Sequence, residues 1–143
     1  MKLGIVGAAR EKFTPETEKV ARERMREIVL GHRAEIIVSG RSPLGGVDVW
    51  AEDLAEELDL ETRIFEPSVR RWDGPGGFRK RNLMIASESD LVLVVVVKDY
   101  PPGYDGMRFE GCYHCRDRNP SHVKSGGCWT AWKAKAAQWC IIP

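Results

Sequence analysis

Short β-branched blocks alternate along this chain with segments whose apolar residues recur every three or four positions, which predicts strands interleaved with amphipathic helices. Lys2 to Val6 reads as a first strand opening on Gly7-Ala8-Ala9-Arg10. Thr14 and Pro15 then supply an N-cap and a first helical residue. The helix that follows places Val20, Met25, Ile28 and Val29 amid charge and is ended by Gly31. Ala34 to Ser39 is the second strand, and Val47 to Leu58 the second helix, with Val47, Trp50, Ala51, Leu54 and Leu58 on one face.

Leu60 to Phe65 carries the third strand, and Ser68 to Gly77, rich in glycine and charge, is a loop. A third helix runs from about Phe78 to Ser87, with Leu83, Met84 and Ala86 as its core contacts. Leu91 to Val97 is continuously apolar without polar alternation, the mark of a strand buried on both faces at the centre of a parallel sheet. After Ser125-Gly126-Gly127 the pattern is helical again through Trp129, Trp132, Lys133, Ala136 and Ala137, and Trp139 to Ile142 supplies a short last strand. Trp50, Trp132 and Trp139 fall at core positions in this pattern, whereas Trp72 and Trp129 lie in or beside loops where either could stack on a base.

Strand and helix in alternation, five strands long, define an α/β three-layer sandwich of Rossmann-like type with a mostly parallel sheet in the order 3-2-1-4-5. Ligands of such sheets bind beyond the carboxyl ends of the strands, where the order reverses. The chain of 143 residues is read as one domain, residues 1–143, with an excursion at 98–124 that breaks the rhythm. That excursion holds two of the four cysteines and two of the three histidines, and it is longer than an ordinary loop.

Composition narrows the function classes. A formal charge of +1 provides no overall field toward nucleic acid, although Arg70, Arg71, Arg79, Lys80 and Arg81 cluster in sequence. No stretch has the length of a membrane span and the start lacks an apolar leader, so a cytoplasmic protein without membrane partners is expected. Reduced thiols or metal ligation are then favoured over a disulfide framework.

The stretch Ile36 to Asp48 is the most informative. A β-branched run stops at Ser39-Gly40, and Gly45-Gly46 let backbone amides come close to a bound group ahead of a helix. The same residues also suit any tight strand-to-helix turn. Ser39, Gly40, Gly45, Gly46, Gly126, Gly127 and Thr130 can donate to a phosphate, with Arg10 or Arg81 as the charge. The competing reading is that the glycines only turn the chain and the arginines pair with carboxylates. Asp48 can meet helix amides or a ligand hydroxyl, and Asn82 can bridge loops or reach ligand. For bond hydrolysis Asp48, Asp99, Asp105 and Glu110 are candidates, and no spacing singles one out as catalytic.

Cys112 and Cys115 form a two-residue-spaced knuckle that His122 and Cys128 can complete as a structural zinc site, with His114 as a substitute. Free thiols, or a redox pair between Cys112 and Cys115, remain alternatives. Cys140 reads as a core residue, and no organic cofactor is expected.

Gly4-Ile5-Val6-Gly7-Ala8-Ala9-Arg10, Val38-Ser39-Gly40 with Gly46-Val47-Asp48, Arg81-Asn82-Leu83-Met84 with Ala86 and Asp90, and Gly126-Gly127-Cys128-Trp129-Thr130 together resemble one group. It is the SLOG-like Rossmannoid superfamily. Its members include cytokinin-activating phosphoribohydrolases (lysine decarboxylase-like proteins), the DNA-processing protein A core, and small phage or bacterial nucleotide-sensing domains. The resemblance implies a nucleotide-like phosphorylated ligand, N-glycosidic hydrolysis in the enzymes, single-stranded nucleic acid in the DNA-processing branch, and homo-oligomerisation. A helix-face dimer could hide Trp50 or Met84. A non-catalytic interaction protein that keeps only the fold is the third reading. The chain departs from the hydrolase pattern at two positions: Trp129 stands where a third glycine belongs, and Lys133 where the catalytic glutamate belongs. Arg41-Ser42-Pro43-Leu44 also lengthens the second-strand turn.

Overall fold

A computed structural model describes residues 1–108 and 122–143. Five strands, β1 (Lys2–Gly7), β2 (Ile36–Ser39), β3 (Glu61–Ile64), β4 (Leu91–Val97) and β5 (Ala137–Ile142), form one sheet in the order β3-β2-β1-β4-β5. Every pairing is parallel. Four helices connect them: α1 (Pro15–Gly31), α2 (Val47–Glu57), α3 (Phe78–Glu88) and α4 (Gly127–Lys133). The Rossmannoid sandwich expected from the alternation is therefore the fold observed.

The β4 run explains the layering. Leu93, Val95 and Val97 point to one face, where they join Leu3, Ile5 and Ile37 beneath Met25 and Val29 of α1 and Trp50 and Leu54 of α2. Val92, Val94 and Val96 point to the other, with Val6 and Val38, against Ile85 of α3 and Ala131 of α4. Each such side chain contributes roughly 1.5–3 kcal/mol when fully buried, so a strand with no polar alternation belongs at the centre.

Helix α1 starts where its residues require. Thr14 Oγ1 accepts from the Thr17 amide (3.0 Å) and Thr17 Oγ1 accepts from the Thr14 amide (2.8 Å), a reciprocal cap ahead of Pro15. At its other end Gly31 is the last helical residue, but the left-handed turn is made by Arg33 at φ 52°.

Three further differences from the sequence pattern have physical reasons. The face of α3 is set by Arg81, Asn82, Ile85 and Ala86, so Met84 is 49% exposed rather than a core contact. Helix α4 stops at Lys133, because Ala137 to Ile142 pairs along β4 from Val92 to Val97 and the ladder takes up the backbone of the stretch expected to be helical. Trp132 is consequently on the surface, with the Lys133 ammonium 4.4 Å from its ring centroid. Trp50 is in the core against Phe13, their ring centroids 4.8 Å apart, so no dimer contact can use it without unpacking α2. The excursion after β4 leaves and returns at one place, for the Val123 amide donates to the Val97 carbonyl at 2.8 Å. Among the described residues no helix is long and apolar enough to cross a membrane.

Candidate functional site

The strand order reverses between β1 and β4, and the chain leaves β1 there through Gly7-Ala8-Ala9 into a 3₁₀ turn at Arg10–Lys12. Gly46, at φ 85°, presses the start of α2 onto this connection, where a Cβ would lie 2.5 Å from the Ala8 carbonyl oxygen and the Arg10 nitrogen. The Val47 amide donates to that same Ala8 oxygen at 3.3 Å. On the other side Gly127 closes on β1, a Cβ there falling 2.9 Å from the Gly7 nitrogen. These approaches bring four segments around a cleft of about 440 Å³. Gly7 to Ala9 with Glu11 and Lys12 make one wall, and Ser42, Leu44 and Asp48 the next. Trp72, Phe78, Arg81 and Asn82 form the third, and Met107 with Lys124 to Gly127 the fourth.

A buried ion pair lies at the junction of two of these walls. Asp48 is 7% and Arg81 9% exposed, with Arg81 Nη1 at 3.6 Å from Asp48 Oδ2. The Ser42 amide donates to the same carboxylate oxygen at 3.1 Å. Arg81 also donates from Nη1 to the Gly40 carbonyl and from Nε to Asn82 Oδ1, the latter at 2.6 Å. Gly40 is glycine because a Cβ would fall 2.6 Å from the guanidinium carbon. Burial pushes the Asp48 carboxyl up to about 6, against the pull of Arg81 and the Ser42 amide. Burial pushes Arg81 down, and Asp48 opposes that. A carboxyl that titrates near neutrality at a cleft wall is suited to proton transfer and to holding a sugar hydroxyl.

Of the residues singled out by sequence, Gly7, Asp48, Arg81, Asn82, Gly126 and Gly127 line the cleft. Ser39, Gly40, Gly45, Gly46, Thr130 and Arg10 lie outside its lining. Ser39 is fully buried and donates from its hydroxyl to the Ile5 carbonyl at 3.2 Å, tying β2 to β1. Its replacement by alanine is expected to lower stability by about 1 kcal/mol and leave ligand affinity unchanged, as urea unfolding and a binding titration would reveal. The Gly45 amide donates to the Ser42 carbonyl (3.0 Å) and the Gly127 amide to Ser125 Oγ (3.2 Å), so both turns close partly on themselves. Thr130 is wholly buried, and its hydroxyl finds no hydrogen-bond partner among the described residues. Arg10 is exposed and reaches Glu18 at 4.0 Å.

Lys12 is a wall residue that no sequence pattern marked. It is 7% exposed, donates to the Met107 carbonyl at 3.2 Å, and lies 5.3 and 5.1 Å from the ring centroids of Tyr100 and Tyr104. Those rings stack at 4.7 Å, and the Tyr104 hydroxyl donates to the Met107 carbonyl at 2.9 Å. The first part of the excursion is thereby held against the 3₁₀ turn, which brings Met107 to the cleft. Trp72 and Trp129 meet edge to face at 5.1 Å. Lys133 lies 5.6 Å from the Trp129 centroid, 4.4 Å from that of Trp132, and outside the cleft lining, so this side chain faces tryptophan rings. Arg70, Arg71, Arg79 and Lys80 are exposed near this rim, while Arg81 is withdrawn from it into the pair with Asp48.

The metal candidates divide. Cys112 and Cys115 lie outside the described residues, as do His114 and Glu110. His122 is 5% exposed and Cys128 fully buried, with Sγ and Nε2 3.9 Å apart. His122 Nδ1 is 2.7 Å from the Val123 carbonyl, and burial pushes the imidazole below its ordinary range. No group of three or more His, Cys, Asp or Glu side chains converges on a metal-sized centre among the described residues. Cys140 is buried on β5, and Asp99 and Asp105 are exposed.

Fold and site together define a Rossmannoid α/β sandwich with a cleft at its topological switch and a buried carboxylate–guanidinium pair in the wall. Comparison with family models, curated proteins and solved structures found no match to this chain.

Proposed function

We propose that the cleft binds a nucleotide or a nucleotide-derived phosphorylated ligand. The observation that carries this reading is the division of the lining. Lys124, Lys12 (which also holds the Met107 carbonyl) and Arg81 (which also pairs with Asp48) give the cleft three cationic groups against the two carboxylates Glu11 and Asp48, and its remaining wall includes Leu44, Trp72, Phe78 and Met107. An anionic, donor-seeking phosphate matches the first set, and a flat base matches the second. Asp48 and Asn82 between them suit ribose hydroxyls, and a pocket at the switch point of a parallel sheet is where such ligands sit.

A hydrolytic version of this reading has one specific support. Asp48 holds a proton up to about pH 6 beside the cleft, as a group that orients water for N-glycosidic cleavage must be able to accept one. Release of free base from a bound nucleoside phosphate, lost in Asp48→Asn, is the expected sign of it.

The binding claim is tested by a thermal-shift screen over nucleoside mono-, di- and triphosphates, ADP-ribose and NAD. A ligand specific to the native state at about 100 times its Kd adds roughly 2.7 kcal/mol. At least one of these compounds is expected to give a saturable shift, and Trp72→Ala to weaken its binding by about 5- to 100-fold through the lost stacking surface. Should none of them stabilise the protein while a single-stranded oligonucleotide binds with steep salt dependence, the nucleic-acid reading would replace this one.

A further inference from the structure

We propose that Asp48, Arg81 and Asn82 together read a cis-vicinal diol, so that the cleft selects a ribonucleotide over its 2′-deoxy counterpart. This rests on the nucleotide reading and adds to it the sugar and the residues that choose it.

The hydrogen-bonding capacity of the three side chains carries the inference. All three are more than nine-tenths buried, Asn82 at 5% exposure, and all three line the cleft. Arginine only donates, so the 2.6 Å bond from Arg81 Nε fixes the facing Asn82 atom as Oδ1 and leaves the Nδ2 amide as the other. That Nδ2 has no partner among the described residues. The guanidinium donates from Nη1 to the Gly40 carbonyl and faces Asp48 Oδ2 with the same nitrogen, while its third nitrogen, Nη2, makes no hydrogen bond with a described residue. Asp48 Oδ2 also accepts from the Ser42 amide, and Oδ1 accepts from no described residue. Among the described residues, the wholly enclosed side-chain atoms that lack a partner are Tyr100 Oη and Thr130 Oγ1. Asp48 Oδ1, Arg81 Nη2 and Asn82 Nδ2 are not of that kind, and they open on the cleft that their residues line.

Arg81 touches both of the others, so the wall offers an acceptor, a donor and a donor in that order. A hydroxyl both donates and accepts. One hydroxyl of a cis-diol donates to Asp48 Oδ1 and accepts from Arg81 Nη2, and its neighbour accepts from Asn82 Nδ2. A phosphate offers only acceptors and meets the Asp48 carboxylate with like charge, so it belongs to the walls that carry Lys12 and Lys124. Loss of one hydroxyl leaves a buried polar atom unmatched once the ligand displaces water, which is how a site built to bond a hydroxyl rejects the analogue without it.

The test is calorimetric titration of the full chain at pH 7.5 with ribonucleoside mono-, di- and triphosphates, each paired with its 2′-deoxy form. In every pair that binds, the ribo member is expected to bind about 10- to 100-fold more tightly. Asn82→Asp keeps an oxygen toward Arg81 Nε but replaces the Nδ2 donor by an acceptor, and it should bring the two members within about 3-fold of each other. Ser39→Ala, outside the lining, should keep the wild-type ratio. Wild-type affinities for the two sugars that agree within about 2-fold overturn the proposal and leave the nucleotide reading standing. The same agreement joined to a strong choice among bases assigns this wall to a base edge, which overturns the proposal equally. An Asn82→Asp protein that retains the full ribose preference also overturns it. If no member of either series binds, the nucleotide reading falls and the proposal falls with it.

Discussion

Arg81→Met is expected to lower the unfolding free energy by about 3–5 kcal/mol at pH 8, the usual cost of leaving one member of a buried ion pair without its counter-charge. The origin is Asp48, which keeps its burial and its Ser42 amide bond but loses the guanidinium 3.6 Å away. Because burial already holds that carboxyl up to about 6, removal of Arg81 raises it further, and the cost should shrink at pH 5, where the proton is in place. Arg81→Met with Asp48→Asn should recover much of the loss, since neither buried charge remains. Urea unfolding of the two single variants and the double variant closes the cycle, with a coupling energy of about 1–3 kcal/mol expected for groups in contact. An Arg81→Met protein within about 1 kcal/mol of wild type at pH 8 would mean that water reaches the pair and that this wall of the cleft is not built as described.

The architecture was legible because its cause is local. Leu91 to Val97 has no polar position, and only a central strand covered on both faces accepts such a run. The switch between β1 and β4, and with it the end of the sheet that carries the cleft, then followed from connection rules. The turns at that end were legible as glycine-rich, but not the work each glycine does. Gly40 makes room for the Arg81 guanidinium and Gly46 lets α2 approach Ala8, and in both cases the neighbour is remote in sequence.

The same limit hid the pair itself. Asp48 and Arg81 were each marked as ligand candidates, and only the packing of α3 beside the β2 turn shows that they bind one another. Met84 was misplaced for a related reason, since a helix face chosen by two buried polar residues leaves no hydrophobic period to read. Lys12 carried no signal because its burial depends on Tyr100 and Tyr104, about ninety residues further on. Helix α4 was overextended because Ala136 and Ala137 have high helix propensity, whereas the open edge of β4 offered a whole parallel ladder.

Asp48 also makes a pH-dependent prediction whose sign is fixed. Its carboxyl sits at about 6 in the fold against 3.8 ordinarily, with burial the largest cause. The folded chain therefore binds a proton that the unfolded chain has released, and the associated stability is fully present below about pH 4 and lost as pH rises through about 6. A difference of about two pH units corresponds to on the order of 2–3 kcal/mol. Asparagine has the same shape, does not titrate, and accepts from the Ser42 amide through its side-chain oxygen. The unfolding free energy of wild type minus that of Asp48→Asn should accordingly fall by on the order of 2–3 kcal/mol between pH 4 and pH 7.5. Glu88 and Asp90, held low by their own partners, change stability in the opposite direction, but they are common to both proteins and cancel in the difference. Binding supplies a second reading of the same proton. Sulfate keeps a constant charge across this range, and below pH 6 the neutral Asp48 no longer competes with it for Arg81. Sulfate should therefore bind the wild-type cleft more tightly at pH 5 than at pH 7.5, and the contribution of Asp48 to that trend should vanish in Asp48→Asn. A stability difference that stays flat with pH would place Asp48 in contact with water and remove the reason to treat it as the proton-accepting group of the cleft.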